Sequence, residues 1–560
     1  MLKRALIASA AVVMAASPVW AKAPARPAPL ISAARISQDV KVISGDDYEG
    51  RGIATAAEPK VIDYVSKGFK AAGLQPGGED GGWTQAVHLR KFSVSDAKLS
   101  LDTPGGAMPL RQGEDIVTST RGAIGDVAFD HAPLVFVGYG VSAPERNWDD
   151  FKGVDVHGKI LVELVNDPDF VEPRLMTFNG KAMTYYGRWT YKYEEAARKG
   201  AAGVLIIHDA DAASYGWDTV RNSWTGDQFD IVRPDPSAVS PKLESWISHE
   251  TADRLFKAAG LDLADLRKKA RSKDFQPVAM NVTLSGDYKV ASSEIVTDNI
   301  VGRLPGTTHA DETIVYTAHW DHLGICAPDA KDKICNGAVD NGTGVATLME
   351  LARAFGKPSS SGAVGQAKKQ ANDRSVVFIA FTAEESGLLG SEYYSSNPLY
   401  PLSKTVAGIN MDALNVHGAT RDIEVIGAGQ SSLEELLAKY AAKQHRALVP
   451  DQMPEAGSFF RSDHFTLVKR GVPMLNAGSG QDMVKGGVKA GRAATDDYIR
   501  NRYHQPADEW SAKWDLSGLV QDATLFYNIG NELANSREWP QWRDASEFKA
   551  ARDASAADRK

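Results

Sequence analysis

Residues 375–385, SVVFIAFTAEE, set an unbroken apolar run directly against two acids, Glu384 and Glu385. A run of this length without polar alternation reads as a strand covered on both faces, as in a parallel sheet with helices above and below. Two further runs share the pattern: TIVYTAH, 313–319, ends in His319, and TVAGINMD, 405–412, ends in Asp412. Sites in open α/β sheets form beyond the carboxyl ends of the strands, so these polar ends are expected to converge on one crevice. Imidazole and carboxylate metal ligands follow.

Working outward, strand-like IVGRL precedes these runs, helix-like TGVATLMELARAF and SLEELLAKYAAKQ lie among them, and PMLNAG follows. The alternation predicts an α/β fold with a mixed, mostly parallel central sheet and helices on both faces. Residues 356–374, rich in Ser, Gly and Lys, read as an exposed loop. Upstream, PLVFVGYGV, KILVELV and GVLIIHD, with helix-like YKYEEAARKG, suggest a compact β-rich unit over 123–287, inserted into a domain formed by 36–122 and 288–546. The Ala/Pro-rich residues 22–35 read as a flexible arm, and 547–560, mostly Ala and charge, as a disordered tail.

The chain has 560 residues, 43% of them apolar, enough for two or more folded units. Its net charge of -8, with scattered rather than striped lysines and arginines, argues against nucleic acid and anionic membranes as partners. Residues 1–21 carry Lys3 and Arg4, an apolar stretch and small residues before Lys22, the pattern of a secretory signal. The stretch is shorter than the ~20 residues a membrane span needs, so export of a soluble protein, periplasmic or secreted, is expected. The two cysteines, Cys326 and Cys335, are expected to pair in that setting, tying down the loop between His319 and Asp340. The oligomeric state is left open.

Each candidate ligand has a plainer reading. His319 and Asp321 form an H-x-D pair, in which the imidazole binds metal and the carboxylate orients it, but a lone His at a strand end is often structural. Asp340, opening DNGTG before a helix, is equally suited to an N-cap. Glu384 and Glu385 fit a general base beside a metal ligand, or a solvated loop; Asp412 fits a ligand or a turn. His504, in YHQPADEW, is the weakest by position. Their shared placement at strand ends couples them into one constellation.

The segments AHWDH, AVDNGTG, FTAEESGLLGSEYY, INMDAL and YHQPADEW, in this order, resemble the zinc aminopeptidases related to glutamate carboxypeptidase II and glutaminyl cyclase. The segment from GYGVSAPERNWDDF to GVLIIHD resembles the protease-associated domain that many members carry as an insertion. The resemblance implies two zinc ions: His319 and Asp412 hold one, Glu385 and His504 the other, and Asp340 bridges them. Glu384 is then the catalytic base, Asp321 the acid beside the first His, and the substrates are peptides with a free N-terminus. Ser462, Asp463 and His464 resemble a segment near the pocket with no assigned role. A glutamate-type carboxypeptidase, a glutaminyl cyclase and a non-catalytic binding module are the alternatives.

Overall fold

The computed structural model describes residues 30–559 apart from 179, 328–329, 357–371, 545 and 547. The expected signal at 1–21, the arm as far as 29 and most of the 356–374 loop lie outside the described residues.

Four strands form the parallel centre, in the order Met474–Ser479, Thr405–Asn410, His309–His319, Arg374–Phe381. Alternate residues enter opposite cores. Ile314, Tyr316, Val376 and Phe378 face a core shared with the helices Glu58–Ala71, Gly344–Gly356 and Ser517–Ala534. Val315, Val377, Ile379 and Phe381 face a second core with Tyr394, Phe465, Trp542 and Phe548. The expected mixed sheet with helices on both faces is therefore present, and the absence of polar alternation in its strands has this two-sided burial as its cause.

IVGRL proves to be the end of a 27-residue strand, Val278–Leu304. It pairs antiparallel with Arg374–Phe381, with Thr84–Thr103 and with Gly125–Phe136, so one continuous sheet runs into a second lobe. There Gly125–Phe136, Ile160–Leu164, Gly203–Ile207 and Leu243–Ile247 lie parallel. The lobe is α/β rather than simply β-rich, since the helices Trp189–Arg198, Trp217–Trp224 and His249–Ala258 belong to it. Its core takes in Phe92, Leu99, Leu101 and Leu110, so the chain leaves the first lobe along Thr84–Thr103, before residue 123.

Two expectations at the ends are corrected. A helix starts at Ala33, inside the expected arm, because Ser32 caps it by accepting from Arg35 N and buried Ile31 and Ile36 anchor it. The expected disordered tail holds a helix, Lys549–Ala554. Phe548 is buried, and Arg552 donates to the carbonyls of Thr405 and Val406, which secures it to the sheet. Arg374, placed at the end of the expected loop, instead opens its strand and is buried against Glu312 at 2.6 Å. Cys326 and Cys335 are bonded, as expected. Among the described residues no helix is long and apolar enough to cross a membrane.

Glu163 in the second lobe is fully buried, and among the described residues neither carboxyl oxygen has a hydrogen-bond partner. Burial pushes it up to about 8, with Lys192 pulling the other way. The folded chain thus retains a proton that the unfolded chain releases near 4.5, and stability falls as pH rises from there to about 8. Glu163→Gln should flatten that decline in melting temperature, measured by thermal unfolding across the same pH interval.

Candidate metal centre

His319 ends its strand level with Phe381, and Thr317 pairs with both Ile379 and Asn410. Side chains just beyond these three ends therefore share one depth in the crevice. His319 Nε2 lies 3.2 Å from Asp412 Oδ1, 3.3 Å from Asp340 Oδ1 and 3.8 Å from Glu384 Oε2. His504 Nε2 lies 3.4 Å from Asp340 Oδ2 and 3.1 Å from Glu385 Oε2. Asp340 thus faces one imidazole with each carboxylate oxygen. The sequence candidates His319, Asp340, Glu384, Glu385, Asp412 and His504 are brought together.

Asp321 is also buried here, but its carboxylate does not orient His319 as expected. It accepts from the backbone amides of Glu384, at 3.1 Å, and Glu385, at 3.3 Å, and so fixes the acid pair. The imidazole Nδ1 lies 3.1 Å from the Asp321 backbone carbonyl and 3.8 Å from its side chain. The short H-x-D spacing leaves the carbonyl closer to the ring.

Three residues were missed. His322 Nδ1 is 2.5 Å from Glu385 Oε1, and its residue type was visible in AHWDH. Asp508, in YHQPADEW, accepts from the amides of Val339 at 3.0 Å and Asp340 at 3.1 Å, holding the turn that presents Asp340. Arg51, from the EGRG stretch, is fully buried and donates to the carbonyls of Trp320, Ile43, Asn336 and Gly337 at 2.7–3.1 Å. It fastens the segments carrying His319, His322 and Asp340 to the helix Ala33–Ile43; nothing local in the sequence signals this.

Burial pushes the Glu384 carboxyl well above the ordinary range, with Asp412, Glu385 and Asp463 adding to the shift and His319 opposing it. Burial acts on Glu385 in the same sense, but His504 and His322 outweigh it and hold it at about 2. Asp463, beside the site, is raised to about 7, chiefly by burial. Two adjacent acids thus have opposite tendencies, one to take a proton and one to stay ionised.

The donor set fits divalent cations. Imidazole nitrogens and carboxylate oxygens from His319, Asp340 and Asp412, from His322, Asp340 and Glu385, and from His319, Glu384 and Glu385 cluster within 4.8 Å. Asp340 belongs to two of the three groups. Several carboxylates crowded out of water carry a heavy desolvation cost unless positive charge joins them. Nitrogen and oxygen donors in this number suit zinc.

Two cavities, of about 450 and 400 Å³, meet at Glu384, Arg461, Tyr503 and His504. One runs under the second lobe, past Arg188 and Trp189; the other is lined mostly by the first, past Leu414, Val416 and Ile426, with Ser214 of the second lobe at its edge.

Residues 299–527 match Peptidase family M28. That span contains all six of the candidates brought together here. The M28 match agrees with the resemblance read from the motifs. Rat Aminopeptidase NAALADL1 is 30% identical over 332 residues, covering 51% of this chain and 39% of that protein. Human BOS complex subunit NCLN is 30% identical over 178 residues, covering 30% and 29%. The chain thus spans well under half the length of these curated relatives. Among solved structures, the aminopeptidase from Aneurinibacillus sp. strain AM-1 superposes with a TM-score of 0.53 at 17% identity, covering 91% of this chain and 95% of its own. That likeness is one of fold.

Arg51→Lys would keep the charge but lose the fork that serves four carbonyls. Hydrogen bonds to a charged donor contribute about 1.5–3 kcal/mol each, so a net loss of about 3 kcal/mol is expected. Urea unfolding should show the first lobe melting earlier; an unmoved transition would contradict the fastening role.

Proposed function

We propose that this chain is a two-metal aminopeptidase, exported by its N-terminal signal to the periplasm or the medium. The observation that carries the reading is Asp340, placed between His319 and His504 with Glu384 alongside. Zinc is the proposed ion, held by His319 and Asp412 on one side, by Glu385 and His504 on the other, and bridged by Asp340. His322, at Glu385 Oε1, steadies that carboxylate. Paired divalent ions, when bound, polarise a carbonyl and lower the pKa of water to about 7.

Glu384 has the surroundings of a general base. Buried, and with a carboxylate oxygen 3.8 Å from His319 Nε2, it is placed to take a proton from attacking water and pass it to the leaving amine. Glu384→Gln should lower kcat by at least about 10³-fold, in line with loss of general-base catalysis, while two zinc ions stay bound. Metal analysis beside a rate assay checks both; undiminished turnover would remove Glu384 from the role. Chelators should abolish activity, and added zinc should restore it.

The second reading, a peptidase that recognises the substrate's carboxyl end, is favoured by one feature. Arg188 is 8% exposed and lines the cavity under the second lobe, and its buried Nε has no hydrogen-bond partner among the described residues. The neighbouring Arg461 bonds to Tyr503 Oη at 2.8 Å. Buried guanidinium groups suit a carboxylate. Aminoacyl anilides, their amine-blocked forms and C-terminally amidated peptides separate the two. An aminopeptidase should hydrolyse the free-amine anilides, reject the blocked ones and tolerate the amides; rejection of both anilides and of the amidated peptides, with cleavage of the same peptides bearing a free carboxyl end, would establish the second reading.

A further inference from the structure

His504 is held from across the cleft. Its Nε2 points at Asp340 and Glu385, while its Nδ1 lies 2.9 Å from Ser223 Oγ and its backbone carbonyl accepts from Asn222 Nδ2 at 3.2 Å. Ser223 and Asn222 sit on the helix Trp217–Trp224 of the second lobe. That helix is anchored in its own lobe: Val220 and Trp224 pack with Val135, Val204 and Trp246, and Trp224 meets Trp189 edge-on at 4.9 Å. Trp217 Nε1 donates to the Gly113 carbonyl at 2.8 Å, which fixes the other end.

The two histidines proposed as direct metal ligands are therefore oriented differently. His319 has its Nδ1 against a carbonyl two residues away in its own lobe. His504 has its Nδ1 against a hydroxyl 281 residues away, on the other lobe. An imidazole that gives its Nε2 lone pair to a metal keeps its proton on Nδ1, and a partner accepting that proton fixes both the tautomer and the ring plane. Ser223 Oγ is placed to be that acceptor.

We infer that Ser223 is a positioning residue for the metal held by His504 and Glu385, with Asn222 holding the same histidine's backbone, so that half of the metal centre is completed by the second lobe. This rests on the two-metal reading proposed above. Its consequence is an asymmetry between the sites. The ion at His319 and Asp412 depends only on the first lobe, whereas occupancy beside His504 depends on how the lobes sit against each other. Reciprocally, loading that ion should tie the Trp217–Trp224 helix to the first lobe.

The test is zinc titration of the metal-free full-length protein against a chromophoric chelator, for the wild type, Ser223→Ala and Ser223→Thr. The wild type should take up two zinc ions. Ser223→Ala should keep one site at wild-type affinity and bind the other about 10–100-fold more weakly, the usual cost of losing a partner behind a metal-bound histidine. Ser223→Thr, which keeps the hydroxyl, should restore it. Hydrogen exchange adds a readout independent of activity: zinc should slow exchange across 217–224 in the wild type and have less effect there in Ser223→Ala. Unchanged affinities in Ser223→Ala overturn the inference while leaving the two-metal reading intact. So does an equal weakening of both sites with a lower melting temperature, which marks a general structural role. A wild type that binds fewer than two zinc ions sinks the two-metal reading itself.

Discussion

The crowding of carboxylates in one water-poor crevice is the constraint around which this molecule is arranged. Asp340, Glu384, Glu385 and Asp412 come together at the ends of buried strands, with Asp321 and Asp463 close behind. Left alone, such charges repel one another and pay heavily for lost hydration. Three imidazoles offset part of this, and the cluster's geometry suits divalent cations for the rest. The same crowding separates the chemistry of neighbouring acids: His322 and His504 keep Glu385 ionised, while Glu384, one residue away, is pushed toward holding a proton.

Holding that cluster requires rigid backbone, and buried polar side chains supply it. Arg51 binds carbonyls on both sides of the segment closed by the Cys326–Cys335 bridge. Asp508 grips the turn at Val339 and Asp340, and Asp321 grips the amides of the acid pair. Asn341 adds to this, its amide donating to the Met411 carbonyl and its oxygen accepting from Gly344 N. Asp340, Glu384 and Glu385 are thus held by groups that stand behind the cluster, as preorganised sites require.

The second lobe shares the sheet of the first through the long strand Val278–Leu304 and returns to the crevice through Ser223, Asn222 and Arg188. The cavity between them has walls from both lobes. Contacts of this kind link the geometry of the cleft to that of the candidate metal centre.

Taken by itself, the sequence determined the strand type and the residue types at the strand ends. Apolar runs such as VVFIAF are local, and two-sided burial leaves a local trace, so the parallel centre and His319, Glu384, Glu385 and Asp412 were legible. Asp340 and His504 were nameable only as members of a constellation, since a carboxylate before a helix or a lone histidine has common structural uses. Tertiary structure alone decided which carboxylate orients what: Asp321 turned to the Glu384 amide rather than to His319, and Asp508 and Arg51 emerged as supports. It also decided the reach of Ser223 to His504, and the helices at Ala33–Ile43 and Lys549–Ala554, where burial of Ile31, Ile36 and Phe548 outweighs the local composition. The physical reason is that a hydrogen bond between groups hundreds of residues apart imposes no periodicity on either segment. Only the folded chain, by bringing donor and acceptor within 3 Å or so, gives either residue its role.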